Sequence, residues 1–197
     1  RAYPARVLVV HGVVNDTVSW CLGRPAATQV SRQHSLSGGS QVTRSFAHSW
    51  DYTRCRPTQQ VVEPSSPTLR VATDLAYDAY GNEVGVTVTP VGQPSRTTSH
   101  TWIENGRLRG STTNPQGHVA TTVWDAVFAR STATIDANGL STLLQFDGFN
   151  RPTRRTRTDG TATVISHKLC GAGCAWPSTY RVVTVTEHGV GDTHIKS

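Results

Sequence analysis

The sequence has no methionine, only two lysines beside 17 arginines, and aromatics make up just 7% of its 197 residues. It also lacks long apolar runs. Stretches such as Val7–Val10 fall far short of the roughly 20 apolar residues a spanning helix needs, so no membrane span is expected. Sustained apolar spacing at i, i+3, i+4 and i+7 is missing, which excludes appreciable helix. The opening Arg1-Ala2-Tyr3-Pro4 has none of the basic, apolar and small-residue regions of a signal peptide. With no initiator Met either, a segment of a longer polypeptide is expected.

Recognisable catalytic chemistry is missing as well. The eight histidines are scattered at 11, 34, 48, 100, 118, 167, 188 and 194. None forms an H-x3-H pair on a helix or stands beside a nucleophile in an elbow. The expectation is no enzyme, with catalytic, cofactor-binding and metal residues all none. The four cysteines are Cys21, Cys55, Cys170 and Cys174. Cys170-Gly171-Ala172-Gly173-Cys174 lacks the second close pair that a zinc site requires. Disulfides are the first choice, with Cys21–Cys55 and Cys170–Cys174 the preferred connectivity; free buried thiols and a metal remain the alternatives. Export would favour bridges.

What the chain does have is 28 Thr and 23 Val. Both are branched at Cβ, stiff at χ1, and suited to the pleated surface of a strand, which makes the fold all-β. A beat runs through the middle. Trp102, Trp124 and Phe146 recur at equal intervals, while Asn114, Asp125, Asp136, Asp147 and Asp159 step by 11, 11, 11 and 12. Asn114-Pro115-Gln116-Gly117 and Asp136-Ala137-Asn138-Gly139 are echoes of one turn, since Asx residues bond their own backbone and Gly tolerates positive φ. One strand plus one turn fills one such step, so the aromatic interval of two steps is a hairpin that is copied and stacked. Turn capping accounts for the acids better than a calcium ladder does. The repeated aromatics read as a core stripe, with exposed sugar-stacking rings as the rival.

Three regions follow: 1–74, a degenerate flanking β region; 75–168, the repeat block; and 169–197, a trailing strand (Tyr180–Glu187) and terminal loop. Ser35–Ser40 reads as a flexible loop, and Gln59–Glu63 and Thr68–Thr73 as a strand pair. The net charge is +6, and the densest basic run is Arg151-Pro152-Thr153-Arg154-Arg155-Thr156-Arg157. No aromatics interleave with those arginines as a single-strand binder would want. The run therefore reads as a solvated edge strand, with no specific nucleic-acid partner.

Tyr77-Asp78-Ala79-Tyr80-Gly81-Asn82, with its echoes at 114–117 and 136–139, resembles the YD repeat of the Rhs (rearrangement hotspot) family over roughly 77–160. Trp20-Cys21-Leu22-Gly23-Arg24-Pro25 and Trp50-Asp51-Tyr52-Thr53-Arg54-Cys55 look like flanks of such blocks. The resemblance implies stacked antiparallel hairpins forming part of a curved β-sheet shell. Such shells enclose a C-terminal toxin in polymorphic toxins and TcB–TcC complexes, and serve adhesion in teneurins. It further implies a structural role, the rest of the parent polypeptide and its enclosed toxin as partners, and a secreted or cell-surface bacterial location. The family's aspartate-containing C-terminal processing motif has no counterpart, since no Asp here precedes a Pro. A carbohydrate- or cell-surface-binding module is the alternative function, with glycans as partners. A free piece of this size is expected to expose sheet edges and associate.

Overall fold

The computed structural model describes residues 6–33, 41–169 and 181–189. Among them every regular element is a strand, and no helix is long and apolar enough to cross a membrane. The chain divides into two compact units, Arg1–Ser99 and His100–Ser197. The first contains β1 (Arg6–Asp16), β2 (Cys21–Gln33), β3 (Gln41–Asp51), β4 (Arg56–Val62), β5 (Val71–Tyr77), β6 (Glu83–Pro90) and the start of β7 (Arg96–Ile103). The second holds the end of β7, then β8 (Leu108–Thr113), β9 (Val119–Asp125), β10 (Arg130–Ile135), β11 (Ser141–Phe146), β12 (Pro152–Arg157), β13 (Ala162–Leu169) and β14 (Arg181–His188). Strand order is chain order in one antiparallel sheet. The all-β, stacked-hairpin expectation is met.

Turns explain the regular step of the Asp and Asn residues, and those led by Asp or Asn fall into two kinds; Asp159 instead stands third in the turn Arg157–Thr161. In the first, residue i is Asp78, Asn114, Asp136 or Asp147, and its Oδ1 accepts the backbone N–H groups of i+2 and i+4 at 2.8–3.0 Å. The N–H of i donates to the carbonyl of i+4, and the N–H of i+3 to the carbonyl of i, which closes the loop from both sides. Residue i+3 takes the left-handed conformation: Gly81 at φ 92°, Gly117 at 84°, Gly139 at 79°, and Asn150 at 62°. Glycine suits that place because it has no Cβ to clash.

The second kind has four residues between strands, after Asp16, Asp51 and Asp125. The aspartate caps N–H groups two or three residues on. Here the left-handed residue is not glycine but Trp20 (φ 56°), Cys55 (52°) or Ala129 (52°).

Side chains alternate along the strands as the pleat demands. On β7, Thr98, His100 and Trp102 are half-buried while Thr97, Ser99, Thr101 and Ile103 are exposed. Among the described residues the buried hydrophobic side chains are few and mostly small: Cys21, Val61, Ala72, Leu108, Ala133 and Ala162.

Three sequence expectations change. The Arg151–Arg157 run is not an edge strand: β12 lies between β11 and β13 and is paired to both. Thr68–Arg70 belongs to the loop before β5, which starts at Val71. Glu63, expected to close the partner strand Gln59–Glu63, falls just past β4, which ends at Val62. Strand β14 matches the expected Tyr180–Glu187 to within a residue at each end. Ser35–Ser40, Cys170 and Cys174 lie outside the described residues.

Candidate functional site

In a hairpin sheet whose strands run in chain order, every second turn falls on the same edge. The odd-strand edge carries the turns that follow β3 and β5 in the first unit, and β7, β9 and β11 in the second. At the ends of those strands stand Trp50 and Tyr77, then Trp102, Trp124 and Phe146. Within the second unit the repeated aromatics Trp102, Trp124 and Phe146 thereby become a spatial row.

In the first unit each of these rings meets an arginine from an adjacent strand. The Arg24 guanidinium stacks 5.3 Å from the Trp50 ring centre, and Arg56 lies 4.5 Å from that of Tyr77. Trp50 Nε1 donates to the Pro25 carbonyl at 2.9 Å. Asp51 then closes the motif. Its Oδ2 is 3.4 Å from Arg56 Nε and 3.5 Å from Arg54 Nη1. Burial raises the Tyr77 pKa, Glu83 adds to that, and Arg56 partly opposes it. Burial also acts to raise Asp78, but hydrogen bonds from Asn82, Tyr80 and Gly81 outweigh it, so the carboxyl sits below its ordinary value.

The first unit is stapled here. Cys21 and Cys55 form a disulfide, as preferred from the sequence. Cys21 is fully buried, and Arg24 Nε lies 3.2 Å from Cys55 Sγ. The bridge therefore joins the start of β2 to the turn between β3 and β4.

The second unit repeats the arrangement with more members. Arg109 stacks on Trp102 at 5.2 Å, and Trp124 Nε1 donates to the Arg109 carbonyl at 2.8 Å. Arg130 is the most connected residue of this stretch of the edge. Its guanidinium lies 4.8 Å from the Phe128 ring centre and 4.6 Å from that of Phe146. Its Nη2 pairs with Asp125 Oδ2 at 3.1 Å, and Nη1 donates to Asn150 Oδ1 at 2.7 Å. Arg151 grips Asp147 Oδ2 through Nε at 2.6 Å and Nη2 at 2.5 Å, and stacks on Phe149 at 5.1 Å. The Arg151 side chain, then its backbone N–H, hold the Asp147 pKa at about 2.

The shared unit is an aromatic followed by Asp, a turn, and an Arg: Trp50-Asp51…Arg56, Trp124-Asp125…Arg130 and Phe146-Asp147…Arg151. A guanidinium over a ring is attracted to its π face while its edge pairs with a carboxylate, and one arginine can do both. The sequence reading missed these arginines. Their signal was the Asp-to-Arg interval of five, five and four positions. The expected apolar core stripe is instead a half-buried row, with arginine over Trp102 and Phe146. This arrangement welds hairpin to hairpin. It presents no nucleophile–base pair and no converging acids.

The repeated Asp and Asn residues do not line up. Asp125 and Asp147 belong to the odd-strand edge of the second unit, and Asn114, Asp136 and Asp159 to the opposite one. Each caps its own turn, Asp159 through the Thr161 N–H and hydroxyl. Histidines bond within their own turn or to a neighbouring strand: His11 and His48 to Thr28, His100 to Thr112, His118 to Asn114, and His167 to the Pro152 carbonyl.

The chain matches no protein-family model and no curated protein sequence. Among solved structures it is similar to TcdB2-TccC3 without its hypervariable C-terminal region, at 12% identity and a TM-score of 0.57. That match covers 84% of this chain and 10% of the other. The TcdB2-TccC3-Cdc42 structure gives 10% identity and 0.57, covering 88% of this chain and 11% of that one. The Photorhabdus luminescens Tc holotoxin pore carrying a TccC3 mutation gives 12% and 0.55, over 84% and 10%. This chain thus spans about a tenth of the length of those chains. At such identities the likeness is one of fold, and the antiparallel hairpin sheet is the fold class expected from the sequence.

Proposed function

We propose that this chain is a structural segment of an Rhs/YD-repeat shell, a length of wall that encloses or presents a C-terminal toxin or effector of its parent protein. The observation that carries the proposal is the ladder on the odd-strand edge, which joins hairpin to hairpin through arginine, aromatic ring and aspartate. Such bonding makes a stiff sheet and leaves no reactive group poised. The wall acts by exclusion: backbone groups paired strand to strand leave no gap for water or a protease. Its partners are the rest of the parent polypeptide and the enclosed cargo, and its place of action is outside the producing cell. The fold likeness to TcdB2-TccC3 supports this reading.

Protease protection tests it. In the parent protein, the segment C-terminal to the wall should resist digestion under native conditions. It should become sensitive when Arg130 and Arg151 are both changed to Ala. A C-terminal segment digested equally fast in both proteins would sink the proposal.

One observation favours a second reading as a glycan-binding module. Trp20 and Phe149 stand on turn tips at 77% and 82% exposure, and exposed rings can stack on sugars. A glycan array with the full chain, and with Trp20→Ala and Phe149→Ala, separates the two.

A further inference from the structure

We infer that Cys55 is a thiol–disulfide exchange site for small anionic thiols, the sulfur through which the Cys21–Cys55 bridge is closed and opened. Arg24 is its positioning residue. The two sulfurs of the bridge stand in different surroundings. Cys21 is fully buried at the start of β2, whereas Cys55 is half-buried in the turn between β3 and β4. A small thiol reaches only the second. Charge separates them further. Arg24 Nε donates to Cys55 Sγ at 3.2 Å. Its guanidinium is held there against the Trp50 ring, which is fixed in turn by the bond from Nε1 to the Pro25 carbonyl. The other charged side chains of this corner have partners. Asp51 pairs with Arg54 and Arg56, and Asp16, opposite Cys21 in the β1–β2 register, accepts the Val18 and Ser19 N–H groups. Among the described residues no carboxylate pairs with Arg24, so its charge acts on the sulfur. A guanidinium beside a sulfur favours the thiolate, and burial in apolar surroundings disfavours it.

The exchange is ordered accordingly. In the reduced chain the Cys55 thiolate attacks one sulfur of a small disulfide, RSSR. A bond forms between Cys55 Sγ and that sulfur, and RS⁻ leaves. Cys21 then gives its proton to water, and its sulfur attacks Cys55 Sγ, which closes the bridge and expels the second RS⁻. Two electrons have passed from the two thiols to the small disulfide. Opening is the reverse. RS⁻ attacks Cys55 Sγ, the bond to Cys21 breaks, and the Cys21 thiolate takes up a proton. A second RS⁻ attacks the sulfur of the R group, which releases the Cys55 thiolate and RSSR. Both directions pass through one mixed disulfide, on Cys55. Because Arg24 faces that sulfur, an anionic thiol such as glutathione is drawn in, and a cationic one such as cysteamine is not.

The test uses the whole chain with Cys170 and Cys174 changed to Ser. The oxidised, bridged protein is pulsed with glutathione and quenched in acid, and peptide mass spectrometry should find the glutathione on Cys55 and not on Cys21. The ratio of the glutathione rate to the cysteamine rate should fall about tenfold at low salt in Arg24→Gln, and Arg24→Lys should restore most of it. In the reduced chain, iodoacetamide should alkylate Cys55 with a pH midpoint below the ordinary thiol value of about 8.5. Arg24→Gln should raise that midpoint by about 1 pH unit, which a merely structural role for Arg24 would not do. Glutathione found equally on Cys21, a glutathione-to-cysteamine ratio indifferent to Arg24→Gln, or a midpoint that the same change leaves in place would each overturn the inference. The first two readings are made on the bridged chain, so they stand even where reduction loosens the fold. Protease protection of the wall, tested at Arg130 and Arg151, is independent of all these outcomes.

Discussion

Replacing Arg130 with Ala should be the most damaging single change on the odd-strand edge of the second unit. The side chain lies over two rings, Phe128 at 4.8 Å and Phe146 at 4.6 Å. At the low end of their range, two such contacts contribute about 1 kcal/mol together. The pair with Asp125, with side chains 21% and 25% exposed, adds at most about 1 kcal/mol. The hydrogen bond to Asn150 adds about 1 kcal/mol. Part of this is offset, because Arg130 Nε is itself buried without a hydrogen-bond partner, and an unmet buried donor costs about 1 kcal/mol. The expected loss is therefore about 2 kcal/mol, or a fall in Tm of about 4–8 °C for a chain of this size.

Urea unfolding and thermal melts of the full chain, read by tryptophan fluorescence, would measure it. Arg154→Ala is the control, since Arg154 is exposed on β12 and should change stability by less than about 0.5 kcal/mol. Arg130→Lys keeps the charge but loses the planar fork, and should recover less than half of the loss. A double-mutant cycle with Phe146→Leu should show coupling of about 0.5–1 kcal/mol. If Arg130→Ala cost no more than Arg154→Ala, or if the cycle showed no coupling, the ladder would be ornament and not a weld.

Three further outcomes follow from the turns and the staple. Gly139→Ala should destabilise by about 1–2 kcal/mol for the left-handed backbone alone, because φ is 79° and nothing lies within 4 Å of the added Cβ. Gly148→Ala, equally uncrowded but without a positive φ, should be close to neutral in the same melt. The Asp147 carboxyl is held at about 2 by Arg151, below the unfolded value of about 3.9. Its contribution is thus complete above about pH 4 and fades as pH falls toward 2. Asp147→Asn should flatten that part of a Tm-against-pH curve, and an unchanged curve would count against it. Removing the Cys21–Cys55 bridge, whose partners are 34 residues apart, should cost about 4 kcal/mol on the chain-entropy estimate. Melts of the Cys21→Ser, Cys55→Ser variant would show a loss near that size, and a Tm unmoved within error would refute it.

Much of the fold was legible because it is written locally. A turn such as Asp136–Leu140 closes its hydrogen bonds between its own first and last residues, so Asp and Gly three apart predict it wherever they stand. Short Thr- and Val-rich runs between such turns leave little but strands. The regular step, the hairpin order and the all-β class all come from that short-range chemistry.

What only the tertiary structure decided is which residues far apart in sequence meet. Arg24 reaches Trp50, Arg56 reaches Tyr77, and Arg130 reaches both Phe146 and Asn150, each pair brought together by strand register. A charged run such as Arg151–Arg157 reads as an edge from its composition, yet β12 is interior, because a strand's place in the sheet depends on its neighbours' pairing. The choice of Cys21 for Cys55 depended in the same way on the turn after β3 returning to the start of β2. The sequence by itself determined where the chain turns. Side-chain contacts between strands, which no local pattern records, decided how those turns are bound to one another.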